Sequence, residues 1–183
     1  MTIAACLKSC AAALAVAAML SGTAASAEEI VIGASLPLSG PLAGFGSFQQ
    51  WGYKRAVDEV NKAGGVAVNG KKLQVKLIIR DDKTDPNATA SNTETLISRD
   101  RVVALLGSCT PALVNAGALV AERAKKPIVT GCDPLEPFLS VRKWNWAWDI
   151  FFSVPDLAAA QFKAMAENNI QTNKKIALWH DNG

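Results

Sequence analysis

Short apolar runs that alternate with segments of helical spacing limit this chain to very few architectures. Ile30-Val31-Ile32-Gly33-Ala34 is continuous rather than alternating, the pattern of a strand covered on both faces. From Ser47 to Ala63 the apolar positions Trp51, Ala56, Val57 and Val60 recur at helical spacing, and Gly64-Gly65 can take the positive φ that ends a helix. Asn69-Gly70, between Val66-Ala67-Val68 and Leu73-Gln74-Val75, suits a type I′ hairpin turn that leads into a second strand from Leu73 to Arg80. Asp85-Pro86 offers an N-cap followed by proline at the first helical position, so a helix is expected to Arg99. Strands are expected again at Val102 to Leu106, Pro127 to Thr130 and Trp146 to Phe152, with a helix from Pro111 to Lys125. Crossovers of this length favour a parallel sheet flanked by helices on both faces, with right-handed connections, which makes the fold class α/β.

The pattern restarts after Pro155, with a helix expected from Asp156 to Asn168 and a strand from Lys175 to Trp179. A lone helix and strand cannot bury a two-sided core, so residues 153–183 read as the hinge and the beginning of an incomplete second α/β unit. Residues 28–152 then form the first unit.

The N-terminus reads as a secretory signal peptide: one charge at Lys8, an apolar run from Cys10 to Leu20, and the small residues Ala25-Ser26-Ala27 before Glu28. The run is too short to span a bilayer. Cleavage after Ala27 leaves 156 residues, in which 18 Lys and Arg against 16 Asp and Glu give a net charge of +2. That balance carries no basic stripe for phosphates, so no nucleic acid partner is expected. Cys6 and Cys10 leave with the signal; Cys109 and Cys132 remain in an oxidising compartment, either bridged or both free.

In open α/β sheets ligands gather beyond the carboxyl ends of the strands. Those ends carry Ser39-Gly40-Pro41 through Phe45-Gly46, then Gly107-Ser108-Cys109-Thr110, then Gly131-Cys132-Asp133-Pro134. Ser108 and Thr110 stand where a helix N-terminus favours an anionic group, although ordinary N-capping would also place hydroxyls there. Asp133 could receive a ligand ammonium or hydroxyl, or open the turn from Pro134 to Phe138. Phe45, on a glycine-flanked loop, is the better aromatic candidate, because Trp144, Trp146 and Trp148 alternate as core strand residues do. The ligand-binding candidates are therefore Ser39, Phe45, Ser108, Thr110, Gly131 and Asp133. Gly40, Gly44 and Gly46 lack the spacing of a dinucleotide loop, and no G-x-S-x-G elbow occurs. His180, the single histidine, has no triad or metal-ligand spacing, so no catalytic residue, metal or cofactor is expected and the chain does not read as an enzyme.

Ile32-Gly33 with Leu38-Ser39-Gly40-Pro41, Gly52 and Ala56, Asn61-Lys62-Ala63-Gly64-Gly65-Val66, Asp81-Asp82 with Asp85-Pro86, and Gly107-Ser108 together resemble the periplasmic solute-binding proteins of branched-chain amino-acid ABC transporters. The resemblance implies the N-terminal lobe of a two-lobed type I periplasmic-binding-protein fold, plus the start of the second lobe. It implies a periplasmic location, a small-molecule ligand (an amino acid or a related acid or amide), and delivery to an ABC transporter permease in the inner membrane. It places the ligand carboxylate near Ser108-Cys109-Thr110, and the amino group near Gly131 to Asp133 with Glu136 beyond. Two positions depart from the family pattern: Asp133 replaces a small residue or threonine, and Phe151 replaces a frequent arginine. With the aromatic residues from Trp144 to Phe152, they make an aromatic or hydrophobic ligand a reasonable expectation. The end at Gly183 leaves two further readings: an inactive or regulatory truncated fragment, or a secreted enzyme without its catalytic half.

Overall fold

The computed structural model describes residues 28–177, so the expected signal peptide lies outside the described residues. Strand β1 (Glu29–Leu36) is followed by helix α1 (Ala43–Lys62), the hairpin β2 (Val66–Val68) and β3 (Lys71–Asp81), and helix α2 (Pro86–Ser98). Then come β4 (Ala104–Leu106), α3 (Pro111–Arg123), β5 (Ile128–Thr130), α4 (Leu135–Val141), β6 (Ala147–Asp149) and α5 (Val154–Glu167). The sheet order is β2-β3-β1-β4-β5-β6, parallel throughout except for the antiparallel β2–β3 hairpin.

Alternation along β1 sends side chains to opposite layers. Val31 and Gly33 face α2, where Leu96 and Val102 close on Gly33; Ile30 and Ile32 face Tyr53, Val57 and Val60 of α1. The core lies on the α2–α3 side: Leu96, Val102, Leu105, Val114, Ala118, Ala121, Ile128, Phe138 and Ala147 pack as one cluster. On the α1 side the cover stops short. Val129 of β5 and Trp148 of β6 remain 38% and 49% exposed, because α1 lies over β1 and β3 only.

Several expectations shift. Helix α1 begins at Ala43, not Ser47, since Gly46 belongs to its first turn: a Cβ there would overlap the Pro37 carbonyl, so only glycine lets the helix seat so close to the β1 exit. The stretch after Pro134 is the helix α4 rather than a short turn, and β6 is confined to Ala147–Asp149. The tryptophans do not form a core stripe. Trp144 stacks on Phe138 with centroids 5.0 Å apart, while Trp146 and Trp148 are exposed. Lys175, Ile176 and Ala177 are not in a strand, and the rest of the strand expected there lies outside the described residues.

Two long-range ties hold the β4–β6 half. Cys109 and Cys132 form a disulfide with their Cα atoms 4.7 Å apart, joining the exits of β4 and β5. Buried Glu122 of α3 accepts hydrogen bonds from the backbone N–H of Trp146 (2.7 Å) and of Asn145 (3.1 Å) and from the Asn145 side-chain amide (3.1 Å), with the Arg142 guanidinium 3.8 Å away. Burial opposes its charge, but these donors outweigh it and hold the Glu122 carboxyl below the ordinary glutamate pKa.

Replacing Cys109 and Cys132 together by alanine reopens a loop of 23 residues' separation. The expected loss is about 3 kcal/mol, read as a fall of roughly 10 °C in Tm by calorimetry. A depressed carboxylate stabilises above its unfolded pKa and ceases to do so as pH falls through its folded value. Glu122→Gln is therefore expected to lower Tm at neutral pH and to flatten the decline in Tm on acidification below the ordinary glutamate range.

Candidate functional site

The chain leaves β1 toward β3, then crosses back over β1 to enter β4. This reversal leaves a crevice beyond the carboxyl ends of β1 and β4, the place where doubly wound sheets bind ligands. Two consecutive carboxylates at the end of β3 organise it. Asp81 accepts from the N–H groups of Leu38 (3.0 Å), Ser39 (3.2 Å) and Lys83 (2.8 Å) and from the Ser39 hydroxyl (2.7 Å). Burial raises its pKa, yet these bonds together bring it below the usual aspartate value. Asp82, fully buried, accepts from the hydroxyls of Ser108 (3.0 Å) and Ser35 (3.4 Å) and from Thr84 N–H (3.0 Å); burial still pushes its pKa up. Helix α1 contributes Gln49, whose amide donates to the Ser108 carbonyl (2.9 Å), and Tyr53, whose hydroxyl donates to the Gly107 carbonyl (2.9 Å).

Ser39 and Ser108 are both present at the crevice, with their hydroxyl protons committed to Asp81 and Asp82. Phe45 lies on α1 rather than on a loop and is 54% exposed, one turn before Gln49. Ser108, Thr110, Gly131 and Asp133 are drawn together by the disulfide and by the bond from Thr110 N–H to the Cys132 carbonyl (3.0 Å). Gly107 permits this approach: a Cβ on it would stand 2.5 Å from the Thr130 Cβ.

Neither serine nor threonine caps α3. Thr110 is the N-cap residue, but its side chain accepts nothing from the first turn. Its backbone, at φ 70° and ψ 151°, occupies a region that is essentially glycine's own and costs a threonine on the order of 1–3 kcal/mol. The positive end of the α3 dipole therefore faces the crevice without a side-chain partner. Asp133 does not cap a turn either. It is fully buried with neither carboxylate oxygen hydrogen-bonded, and burial first, then the charge of Asp149, pushes its pKa up to about 6. Glu136 is engaged elsewhere, accepting from Val154 N–H at the start of α5 (3.0 Å).

Sequence reasoning missed Gln49, Tyr53, Asp149 and the roles of Asp81 and Asp82. The position of Asp81-Asp82 at a strand end was the one available signal. Two grooves are lined by none of the six candidates: one of about 460 Å³ between α1 and β3, lined by Leu38, Asn61 and Leu77, and one of about 430 Å³ between α4 and β6, lined by Phe138, Trp144 and Asp149.

Comparison with known proteins agrees with this geometry. A "Leu/Ile/Val-binding protein homolog 7" of Brucella melitensis is 36% identical over 115 residues, which cover 63% of this chain and 28% of the relative. An "Amino acid binding protein" of Pseudomonas aeruginosa is 31% identical over 121 residues, 65% of this chain and 31% of the relative. The branched-chain amino acid transporter substrate binding protein LivJ of Streptococcus pneumoniae, solved in complex with isoleucine, superposes with a TM-score of 0.62 at 28% identity, over 69% of this chain and 34% of that one. A solute binding protein of an ABC transporter from Rhodopseudomonas palustris, in complex with 3,4-dihydroxy benzoic acid, shares the fold with a TM-score of 0.62 at 22% identity, over 78% and 37% of the two chains. The chain thus spans about a third of the length of the proteins it matches. The model of the family described as "Periplasmic binding protein" matches residues 29–182, and with the lobe architecture this makes the chain a member of the periplasmic binding protein family.

Proposed function

We propose that this chain captures a small carboxylate-bearing solute outside the cytoplasm, in the periplasm, for delivery to an ABC transporter permease in the inner membrane. The observation that carries the reading is the uncapped N-terminus of α3, held in the crevice by a strained Thr110 and a disulfide. Backbone N–H groups at a helix start, together with the dipole, favour a carboxylate without a full counter-charge. Isoleucine and 3,4-dihydroxy benzoic acid, the ligands of two structural neighbours, share a carboxylate and little else. Ser39, Phe45, Ser108, Thr110, Gly131 and Asp133 are the proposed cleft face. Ser39 and Ser108 act there through the backbone that their aspartate bonds fix in place, and exposed Phe45 offers an aromatic wall.

Residues 28–152 are the proposed first lobe, and 153–183 the hinge and the beginning of a second. Helix α5 supports this division: it starts on the cap of Ser153, whose hydroxyl accepts from Asp156 N–H, and buries no residue against the first lobe.

The test is thermal unfolding with leucine, isoleucine, 3,4-dihydroxybenzoate and the corresponding amides at millimolar concentration. A carboxylate ligand of the native state is expected to raise Tm, with about 2.7 kcal/mol gained at a hundredfold excess over Kd, while its amide does less. Thr110→Asp puts a negative charge at the α3 start, which suits the helix but repels a carboxylate, and is expected to abolish the shift in a folded protein. Thr110→Gly removes the backbone strain and should keep the shift. No shift with any carboxylate solute would sink this reading.

A further inference from the structure

Three residues with unpartnered buried oxygens lie at or just past the ends of β5 and β6. Thr130 and Asp149 are register partners on these parallel strands, so their side chains emerge side by side on the α3–α4 face. Thr130 is 2% exposed and its Oγ1 has no hydrogen-bond partner. Asp149 uses Oδ1 to accept from Phe151 N–H (2.9 Å), which orients the carboxylate, and its buried Oδ2 has no partner. Asp133, three residues beyond Thr130, is fully buried with both oxygens unpartnered, and it lies close enough to Asp149 to feel its charge. Among the described residues no Lys or Arg forms an ion pair with either aspartate, although Arg142 and Lys143 line the groove onto which Asp149 opens; Arg142 is turned to Glu122. Two buried like charges without a counter-charge are costly, and a fully buried carboxylate calls for a proton or a cation beside it.

We infer that Asp133, Asp149 and Thr130 form a site for a single divalent hard cation of the Ca2+ type. The donor set is oxygen only, without His or free Cys, which selects against zinc and softer metals. Two carboxylates balance a divalent charge where a monovalent ion would leave one uncompensated. Asp133 can chelate through two oxygens, Asp149 adds Oδ2 and Thr130 adds Oγ1; the irregular remainder of a 6–8-oxygen shell suits Ca2+ better than the strict octahedron of Mg2+. Full burial favours a bare ion over the ammonium of an organic solute. The cation would clamp the β5 exit to the β6 exit, next to the clamp that the disulfide puts between the exits of β4 and β5. This site shares Asp133 with the proposed cleft face, whereas Asp149 and Thr130 belong to it alone, so variants at those two positions test the cation without touching the solute face.

The experiment is Ca2+ titration of the EDTA-treated, dialysed protein, read by calorimetry, by Tm and by Tb3+ luminescence sensitised through Trp148, the neighbour of Asp149. The expected result is one saturable site, displaced competitively by Ca2+, with a rise in Tm. Asp149→Asn should weaken binding at least tenfold and should itself stay folded, since it removes one of two like charges. Thr130→Val, which keeps the shape of the side chain, should weaken binding severalfold without loss of fold. No saturable binding by about 5 mM Ca2+, above the weakest extracellular range of about 1 mM, would overturn the site and leave a shared proton or a buried water as the occupant. Binding unaltered in both variants, or a response to methylammonium and not to Ca2+, would overturn it equally.

Discussion

Asp81 and Asp82 point to opposite sides of the β3 end, as neighbours on a strand must, and between them they bind the exits of three strands. Asp81 gathers the backbone after β1; Asp82 reaches past Ser35 to Ser108 after β4. The position of β1 at the middle of the sheet makes this reach possible, because the β1 exit sits between the other two. The crevice thus owes its shape to the side-chain oxygens of Asp81 and Asp82. The two carboxylates also divide their tasks by environment: Asp82 is the more deeply buried and feels the charge of Asp81, so its pKa ends above normal, whereas the donors to the less buried Asp81 outweigh its burial and bring it below.

The neighbouring exits follow a different logic. At β4 the protein holds a threonine in a backbone region suited to glycine and leaves the helix end it should cap without a side-chain acceptor. At β5 and β6 it buries carboxylate oxygens that accept nothing, both of Asp133 and one of Asp149. Strain and unmet polar capacity are costs that a purely structural lobe would shed, and at Thr110, Thr130, Asp133 and Asp149 both gather beyond the carboxyl ends of β4, β5 and β6. Rigidity is supplied from behind: Gln49 and Tyr53 fix the carbonyls of Ser108 and Gly107 from α1, and Glu122 fixes Asn145 and Trp146 from α3.

The architecture was legible in the sequence because its signals are local. Continuous apolar runs gave the strands, Asn69-Gly70 the hairpin, and Asp85-Pro86 the start of α2, where Asp85 caps Asn87 N–H at 2.8 Å. Signals that depend on distant neighbours were not legible. Gly46 reads as a turn residue until Pro37 is seen against it, and aromatic residues from Trp146 to Phe152 read as strand although only Ala147–Asp149 pairs with β5. Ser108 and Thr110 were found as hydroxyls at a helix start, but that neither caps it depends on Asp82, 26 residues earlier than Ser108, and on Cys132. Asp149 gave no cue, since a lone acidic residue after a tryptophan looks like any strand end until β5 is laid beside it.

The disulfide has a consequence for how pairing errors would show themselves. Its cysteines lie just past the ends of β4 and β5, strands with only three residues each, whose pairing is Leu105 with Ile128 and Leu106 with Val129. Ladders this short hold their alignment weakly, and a slip by one residue would turn Ile128 out of the core and Val129 into it. The same slip would carry Cys132 one strand residue away from Cys109 and set it on the other face. Oxidation of this pair therefore works as a chemical record of alignment: chains that paired in register lose two thiols, and chains that slipped keep them.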